Sequence, residues 1–496
     1  MDLGAYHSAL ARHANTASHT LPSREAVDQL HALLASSTSP GRNPGLPEQG
    51  KGASSVLSNI ANTIVPSLNG QATTSRYYGF VSGGSHPVAQ AADNAVTALD
   101  QNVMVHLPDQ SAATMVEDVA LRGLLELVNL DEERWKGRTF TTGATGSNVL
   151  GLACGRDYVL AKKLQKKGNT ATPDHLGILG ACLGAGVKSI RILSSGSHST
   201  IGKAASVVGL GRASIVELPF SESEPWRLDL AAVEAMLQEN DSVNIVSISA
   251  GEVNTGRFAT TGLEDMKRLR DLADEYDSWI HVDGAFGIFA RSLPATDEFK
   301  LLKQWAEGIE LADSITADGH KCLNVPYDTG IFFCKHLDVQ TRVFSNGSAA
   351  YLSGGSSEIP SPMNLGLENS RRFRALPVYA LLQSEGREGM QQMFVRMVRM
   401  ARAVAASIRT SEHYELLPSV ADQGDKTHII VLFRAKNDDL NRVLVSKINQ
   451  TGRMYVSGTM WNGQPACRVA VANWKVNVDE DIKVVEEILN TIAGNS

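Results

Sequence analysis

Residues 244–287 read "NIVSISAGEVNTGRFATTGLEDMKRLRDLADEYDSWIHVDGAFG". Two apolar runs in this stretch, "NIVSISAG" (Asn244 to Gly251) and "SWIHVD" (Ser278 to Asp283), end in small or acidic residues. Each has the length of a buried strand and is too short for a typical helix. Between them, Met266, Leu269, Leu272 and Tyr276 fall on one helical face, and Thr261 followed by Glu264 has the spacing of a capping box. Strand, helix and strand in this order predict parallel neighbours joined by a crossover.

The same pattern extends outward. "SIRIL" (Ser189 to Leu193) and "SIVELPF" (Ser214 to Phe220) read as further buried strands. The centre of the chain is therefore expected to be α/β, a mainly parallel sheet with helices on both faces and ligands at the carboxyl ends of its strands. Upstream, Ala91 to Leu130 carries a helical pattern, as in "ATMVEDVALRGLLELVNL". The first 36 or so residues are weakly helical, and "SSTSPGRNPGLPEQGKGASS" reads as a loop or linker. After Leu376 come a helix through "MQQMFVRMVRMARAVAASI", strand-like "THIIVLFRA" and "CRVAVANW", and a final helix from about Asp479. The expected division is an N-terminal helical segment and linker (1–90), a large α/β domain (91–376) and a small α+β domain (377–496).

The totals agree with an ordinary globular composition and two or three packed subdomains. The chain has 496 residues, 43% hydrophobic and 20% charged, with a net charge of -7. That length is more than one simple core holds. The acidic balance and the lack of a basic run argue against nucleic acid or an anionic membrane surface as partner. No apolar run is long enough to span a bilayer, and the N-terminus lacks the basic start and apolar block of a secretory signal. Five scattered cysteines (Cys154, Cys182, Cys322, Cys334, Cys467) form no C-x-x-C pair, which argues for a reducing compartment and against a cysteine zinc site. A cytoplasmic location is the expectation.

Five constellations carry possible chemistry. In "HVDGAFG" (His281 to Gly287) Asp283 ends a strand, where an acid can meet a cationic ring nitrogen; it can equally cap the next turn. Gly284 and Ala285 leave room for a flat cofactor beside it. In "DGHK" (Asp318 to Lys321) Lys321 can hold an aldehyde, provided burial and a neighbouring cation lower its pKa; a snorkelling surface lysine is the bland alternative. An Asp followed downstream by a Lys is the order that a pyridoxal phosphate site requires. "TTGATGSNVLGL" (Thr141 to Leu152) leads glycines and hydroxyls into a helix, a phosphate cradle or an ordinary cap. In "SSGSHSTIGKAA" (Ser194 to Ala205) His198 follows a strand and can stack on a ring, relay a proton, or be structural. In "SAAYLSGGSSEIPSPMNLGLENSRRFRAL" (Ser348 to Leu376) Tyr351 opens a Gly/Ser/Pro-rich loop as a proton donor on a lid or an exposed aromatic. Arg371, Arg372 and Arg374 in the same stretch read as a solvated helix start.

Together these motifs resemble the group II pyridoxal-phosphate decarboxylases, the family of the aromatic amino acid, histidine and glutamate enzymes. The resemblance runs from about Tyr77 to Trp474 and rests on motif order. "HVDGAFG" is similar to the family's H-V-D-A-A-x-x-G, "DGHKCLNVPYDTG" to N/D-x-H-K-W-L, "TTGATGSN" to T-x-G-G-S-x-A-N, and "SHSTIGKAA" to S-x-x-H-S-S-x-x-K-A. "RYYGFVSGGSHPVA" is similar to the substrate-side H-P-x-F-F segment. The chain departs from the family at Ala144, at Cys322 after the lysine, and in "GEVNTG", which lacks a Thr-Thr pair.

The resemblance implies a fold type I, PLP-dependent transferase-like architecture with a seven-stranded-type sheet, and a homodimer. It implies decarboxylation of an L-amino acid to an amine and carbon dioxide. Lys321 would be the Schiff-base lysine, Asp283 the partner of the ring nitrogen, and Ala285 and His198 the contacts on the two ring faces. Ala144, Thr145 and His320 would serve the phosphate end, with Asn254 and Thr255 near the cofactor. Tyr351 would return a proton, which favours plain decarboxylation over the aldehyde synthases and aminotransferases of this fold; a non-catalytic relative is a further alternative. Tyr77, Phe80 and His86, with Asn102, are candidates for the substrate side, where the aromatics can line a pocket for an aromatic amino acid or belong to the core.

Overall fold

The computed structural model describes residues 2–16, 19–36, 46, 49–346, 359–418 and 424–494. Seven strands form the central sheet: Gly137–Thr141 (β1), Ser189–Ser194 (β2), Ile215–Glu217 (β3), Ser242–Ser249 (β4), Trp279–Asp283 (β5), Ser314–Asp318 (β6) and Gly330–Cys334 (β7). Their order is β1-β7-β6-β5-β4-β2-β3. β7 runs antiparallel to both neighbours, β6 and β1; all other neighbouring pairs are parallel. β4 to β7 are buried at every position, which requires cover on both faces.

The helices differ from the expected pattern where the backbone is constrained. The predicted helical region 91–130 is two helices, Pro87–Ala98 (α1) and Ala113–Leu127 (α2), interrupted at Asp100, whose φ is 47°. Between them Asn102–Val103 pairs with Arg371–Arg372 in a two-stranded ribbon. "SIVELPF" gives only the three residues of β3, because Pro219 has no N–H for the ladder and its segment bridges Leu228 instead. Ala144–Lys166 (α3) and Ser199–Val207 (α4) follow β1 and β2. The crossover helix is Leu263–Glu275 (α5), with Met266, Leu269 and Leu272 buried as expected. Its cap differs: Thr261 donates its N–H and hydroxyl to Asp265 (2.8 and 2.7 Å), not to Glu264. Gly262 at φ 123° is the N-cap, and a Cβ there would stand 2.3 Å from the Gln304 carbonyl oxygen.

Ala375–Thr410 (α6) leads to the C-terminal sheet, with a kink at Gly386. That sheet holds Tyr414–Leu417 (β8), Ile430–Ala435 (β9), Ser457–Trp461 (β10) and Gln464–Ala470 (β11) in the antiparallel order β8-β9-β11-β10. The segment around Tyr78 is tied to it. Tyr78 N–H donates to the Tyr455 carbonyl (2.9 Å), and Ala470 N–H donates to the Tyr78 carbonyl (3.0 Å). No described helix is long and apolar enough to cross a membrane.

Candidate active site

The strand ends converge on one cavity of about 640 Å³. Ser249, Asp283 and Asp318, the last residues of β4, β5 and β6, line it. The turn Thr142–Thr145 after β1 forms one wall, and His198, which follows β2 and caps α4, forms another. The parallel arrangement places these distant residues at one edge.

Lys321 lies on the cavity floor with Nζ 2.9 Å from Asp318 Oδ2 and 5.7 Å from the Phe286 ring centre. Burial alone would pull its amine down, but the Asp318 and Asp283 carboxylates outweigh burial and hold it above the ordinary lysine range. This corrects the expectation of a lowered pKa: the charged groups nearest the amine are acids, not a cation. Asp318 Oδ1 also accepts the Ala144 N–H at 2.6 Å, so one carboxylate joins the lysine to the first turn of α3. Close packing shapes that turn; a Cβ on Gly330 would stand 2.4 Å from Gly143 Cα.

Asp283 accepts the Ala285 N–H at Oδ1 (3.2 Å) and the Asn148 amide at Oδ2 (2.9 Å). Ala285 lines the cavity, as do Ala144 and Thr145. His198 accepts the Thr200 N–H at Nδ1 (3.2 Å), and burial lowers its pKa against the pull of Asp283. His320 stacks on Tyr327 with ring centres 4.1 Å apart, and burial lowers its pKa too.

Other candidates separate. Asn254 lines the cavity and accepts the Thr459 hydroxyl (2.9 Å). Thr255 does not line it; its N–H and hydroxyl are turned onto Glu252. Phe80 and Val81 line the mouth, both with positive φ (57° and 58°). Tyr77 sits behind them, stacked on Tyr455 at 4.5 Å, its phenol pushed up to about 12 by burial. His86 is off the cavity: it caps α1, packs on Trp474 (4.9 Å) and lies 3.8 Å from Glu385. Asn102 is in the ribbon. Tyr351 lies outside the described residues. The arginines read as a solvated helix start are paired instead. Arg371 is buried on Glu117 and Thr139, Arg374 is buried on Asp328, and Arg372 binds Asp93.

Among the lining residues that the sequence reading missed are Glu252 and Arg468. Glu252 accepts Asn254 N–H (2.8 Å) and closes the turn that carries Val253 and Asn254. Arg468, from β11, donates to the Val253 carbonyl (3.1 Å) and is, with Lys321, one of the two Lys or Arg side chains among the described lining residues. Its signal was a lone arginine within the apolar "CRVAVANW".

A buried amine, a strand-end acid, an imidazole and a hydroxyl-lined helix start on one cavity suit pyridoxal phosphate, which offers an aldehyde, a ring nitrogen, a flat face and a phosphate. The family model described as "Pyridoxal-dependent decarboxylase conserved domain" matches residues 37–436. This chain is a member of the pyridoxal-dependent decarboxylase family. Pyridoxal phosphate is its cofactor. Among similar decarboxylases, the L-2,4-diaminobutyrate decarboxylase of Acinetobacter baumannii is 27% identical over 419 residues, covering 81% of this chain and 77% of that protein. The aromatic-L-amino-acid decarboxylase of Catharanthus roseus is 23% identical over 450 residues, covering 88% and 82%. A crystal structure of Oryza sativa TDC with PLP and tryptamine superposes with a TM-score of 0.77 at 20% identity, covering 100% of this chain and 99% of that one. That likeness is one of fold: type I, with the small C-terminal sheet.

Proposed function

We propose that this decarboxylase removes the α-carboxylate of an L-amino acid with an aromatic or other apolar side chain, releasing the amine and carbon dioxide. The observation that supports it best is the presence of Lys321, Asp283 and His198 on one cavity whose described lining holds two Lys or Arg side chains, Lys321 and Arg468. Lys321 would hold the cofactor aldehyde, Asp283 its ring nitrogen, Ala285 and His198 its two faces, and the Thr142–Thr145 turn its phosphate. Bound pyridoxal phosphate supplies an electron sink for charge developing at Cα. Arg468 offers the guanidinium that an incoming carboxylate would seek, and so orients the bond to be broken. Because His198 Nδ1 already accepts the Thr200 N–H, its ring proton sits on Nε2, as a donor. His198 can then return a proton to Cα, a role shared with Tyr351.

Side-chain choice follows from the acids. The described lining carboxylates are Glu252, Asp283 and Asp318. Glu252 is filled by its own turn, Asp283 is reserved for the ring nitrogen, and Asp318 holds Lys321 and Ala144. None is left for the second ammonium of a diamino acid, whereas Phe80, Val81, Val253 and Tyr327 offer an apolar mouth. Phe80 and Tyr327 are 60% and 53% exposed at that mouth, which suits cover by a second copy in a homodimer. All five cysteines are free thiols, in keeping with the cytoplasm.

The test is purified protein loaded with pyridoxal phosphate and given each common L-amino acid and L-2,4-diaminobutyrate. Carbon dioxide, amine, aldehyde and peroxide are followed together. Equal amine and carbon dioxide from an aromatic substrate, abolished by Lys321→Ala, are expected. Turnover of diaminobutyrate alone would overturn the side-chain assignment, and aldehyde with peroxide would overturn simple decarboxylation.

A further inference from the structure

One line of hydrogen bonds runs from the sheet interior to the cavity. Trp279 Nε1 donates to Ser314 Oγ (2.9 Å), Ser314 Oγ lies 2.8 Å from His281 Nδ1, and His281 Nε2 lies 2.9 Å from Asn148 Oδ1. Asn148 Nδ2 reaches Asp283 Oδ2 (2.9 Å) and Thr200 Oγ1 (3.3 Å), and Thr200 Oγ1 lies 2.8 Å from His198 Nδ1. The directions are fixed from one end. An ionised carboxylate only accepts, so the Asn148 amide nitrogen faces Asp283 and its oxygen faces His281. His281 must then donate from Nε2 and accept at Nδ1, from the Ser314 hydroxyl. Ser314 oxygen takes the indole N–H of Trp279.

Burial of these groups calls for a reason. Asn148, His281 and Ser314 are all fully buried. Apolar residues of the same shape would fold at least as well there. The packing is also built around them: a Cβ on Gly151 would stand 2.3 Å from His281 Cε1, so only glycine lets α3 bring Asn148 down to β5. Burial lowers His281 to about 4, so near neutral pH its ring carries the single proton that the chain of donors requires.

We propose that Asn148 is a positioning residue that holds both cofactor-facing groups at once: the Asp283 carboxylate directly and the His198 ring through Thr200, with Ser314 and His281 fixing its orientation. This rests on the proposed contact between Asp283 and the ring nitrogen. Polarised in one direction, the chain delivers one amide N–H to Asp283 and another to Thr200 Oγ1, whose hydroxyl then donates to His198 Nδ1. His281 and Ser314 act only through Asn148.

The experiment measures equilibrium binding to the apo-protein of pyridoxal phosphate and of its analogue with carbon in place of the ring nitrogen. Both ligands use Lys321, so their affinity ratio isolates the nitrogen. Wild type is expected to prefer pyridoxal phosphate. Asn148→Ala should lose roughly tenfold to a hundredfold in affinity for pyridoxal phosphate and far less for the analogue. Ser314→Ala, a smaller change at the far end, should move the ratio in the same direction, with a shifted visible band for the bound cofactor. Apo-protein melting identifies any variant that fails to fold; Ser314→Ala then decides. Equal losses for both ligands, or an unchanged ratio, would overturn the positioning role while leaving Asp283 in place. No preference in wild type would overturn the Asp283 contact, and the positioning role with it.

Discussion

If Lys321 holds the cofactor aldehyde, as proposed, its pairing with Asp318 would set how readily the cofactor is taken up. The amine must be neutral to attack an aldehyde, and Asp318 holds it charged, above its ordinary range. Below the pKa each pH unit multiplies the neutral fraction about tenfold, so loading of the apo-protein should accelerate steeply from pH 7 to 9, followed by absorbance. Asp318→Asn keeps an acceptor for Ala144 N–H and removes the nearest charge, leaving burial opposed chiefly by the Asp283 carboxylate. Its loading at pH 7 should be faster and less pH-dependent than wild type; slower loading would contradict the account. Asp283 could be read in the sequence because it ends a short apolar strand, and Lys321 because it lies downstream of that acid in the order a pyridoxal phosphate site requires. Asn148 could not, because an asparagine in a Gly/Thr/Ser-rich turn reads as a turn former. Its partners His281 and Asp283 are 133 and 135 residues away. Arg371 was misread for the same reason, as its partner Glu117 is 254 residues distant and a basic run looks solvated without it.

The contact of α3 with β5 is where an element carries the site. Gly151 faces His281, and Gly155 faces Trp279, where a Cβ would come within 2.9 Å. Asn148, Gly151 and Gly155 share one helical face, so the glycines set the depth at which Asn148 works. Gly151→Ala should destabilise the protein by about 1–3 kcal/mol through overpacking, with weaker cofactor binding, measured by melting and by titration. Gly146→Ala in the same helix meets nothing nearer than Thr142 Oγ1 at 3.4 Å. It should be neutral or stabilising by up to about 1 kcal/mol from helix propensity. The fold was legible element by element wherever burial on two faces writes a continuous apolar run, as in β4 and β5, whereas the short β6, "SITAD", was not singled out as a strand. Boundaries were not legible where one residue overrules periodicity: Pro219 ends β3, Gly262 delays α5, and Asp100 divides the predicted long helix.

At the scale of the whole molecule, two buried histidines make stability depend on pH. Burial lowers His281 to about 4 and His428, between Phe258 and Phe286, to about 3, both below the ordinary 6.5. Between pH 6.5 and 4 the unfolded chain takes protons that the folded one refuses, so stability falls as pH falls, by up to about 1.4 kcal/mol per unit for each histidine. Melting temperature should drop across that window, and His428→Phe should make the drop shallower; an equally steep drop would remove His428 as a cause. The cavity also joins the two ends of the chain, since Phe80 N–H donates to Ser457 Oγ across 377 residues of sequence. Contacts of that separation form late. During synthesis, every residue from Thr142 to Lys321 proposed to face the cofactor leaves the ribosome before β11 exists to seat Tyr78 or to bring Arg468. A nascent or truncated chain would own the groups proposed to grip the cofactor without the wall and the guanidinium proposed to receive an amino acid, so substrate turnover is expected only once β11 has been made.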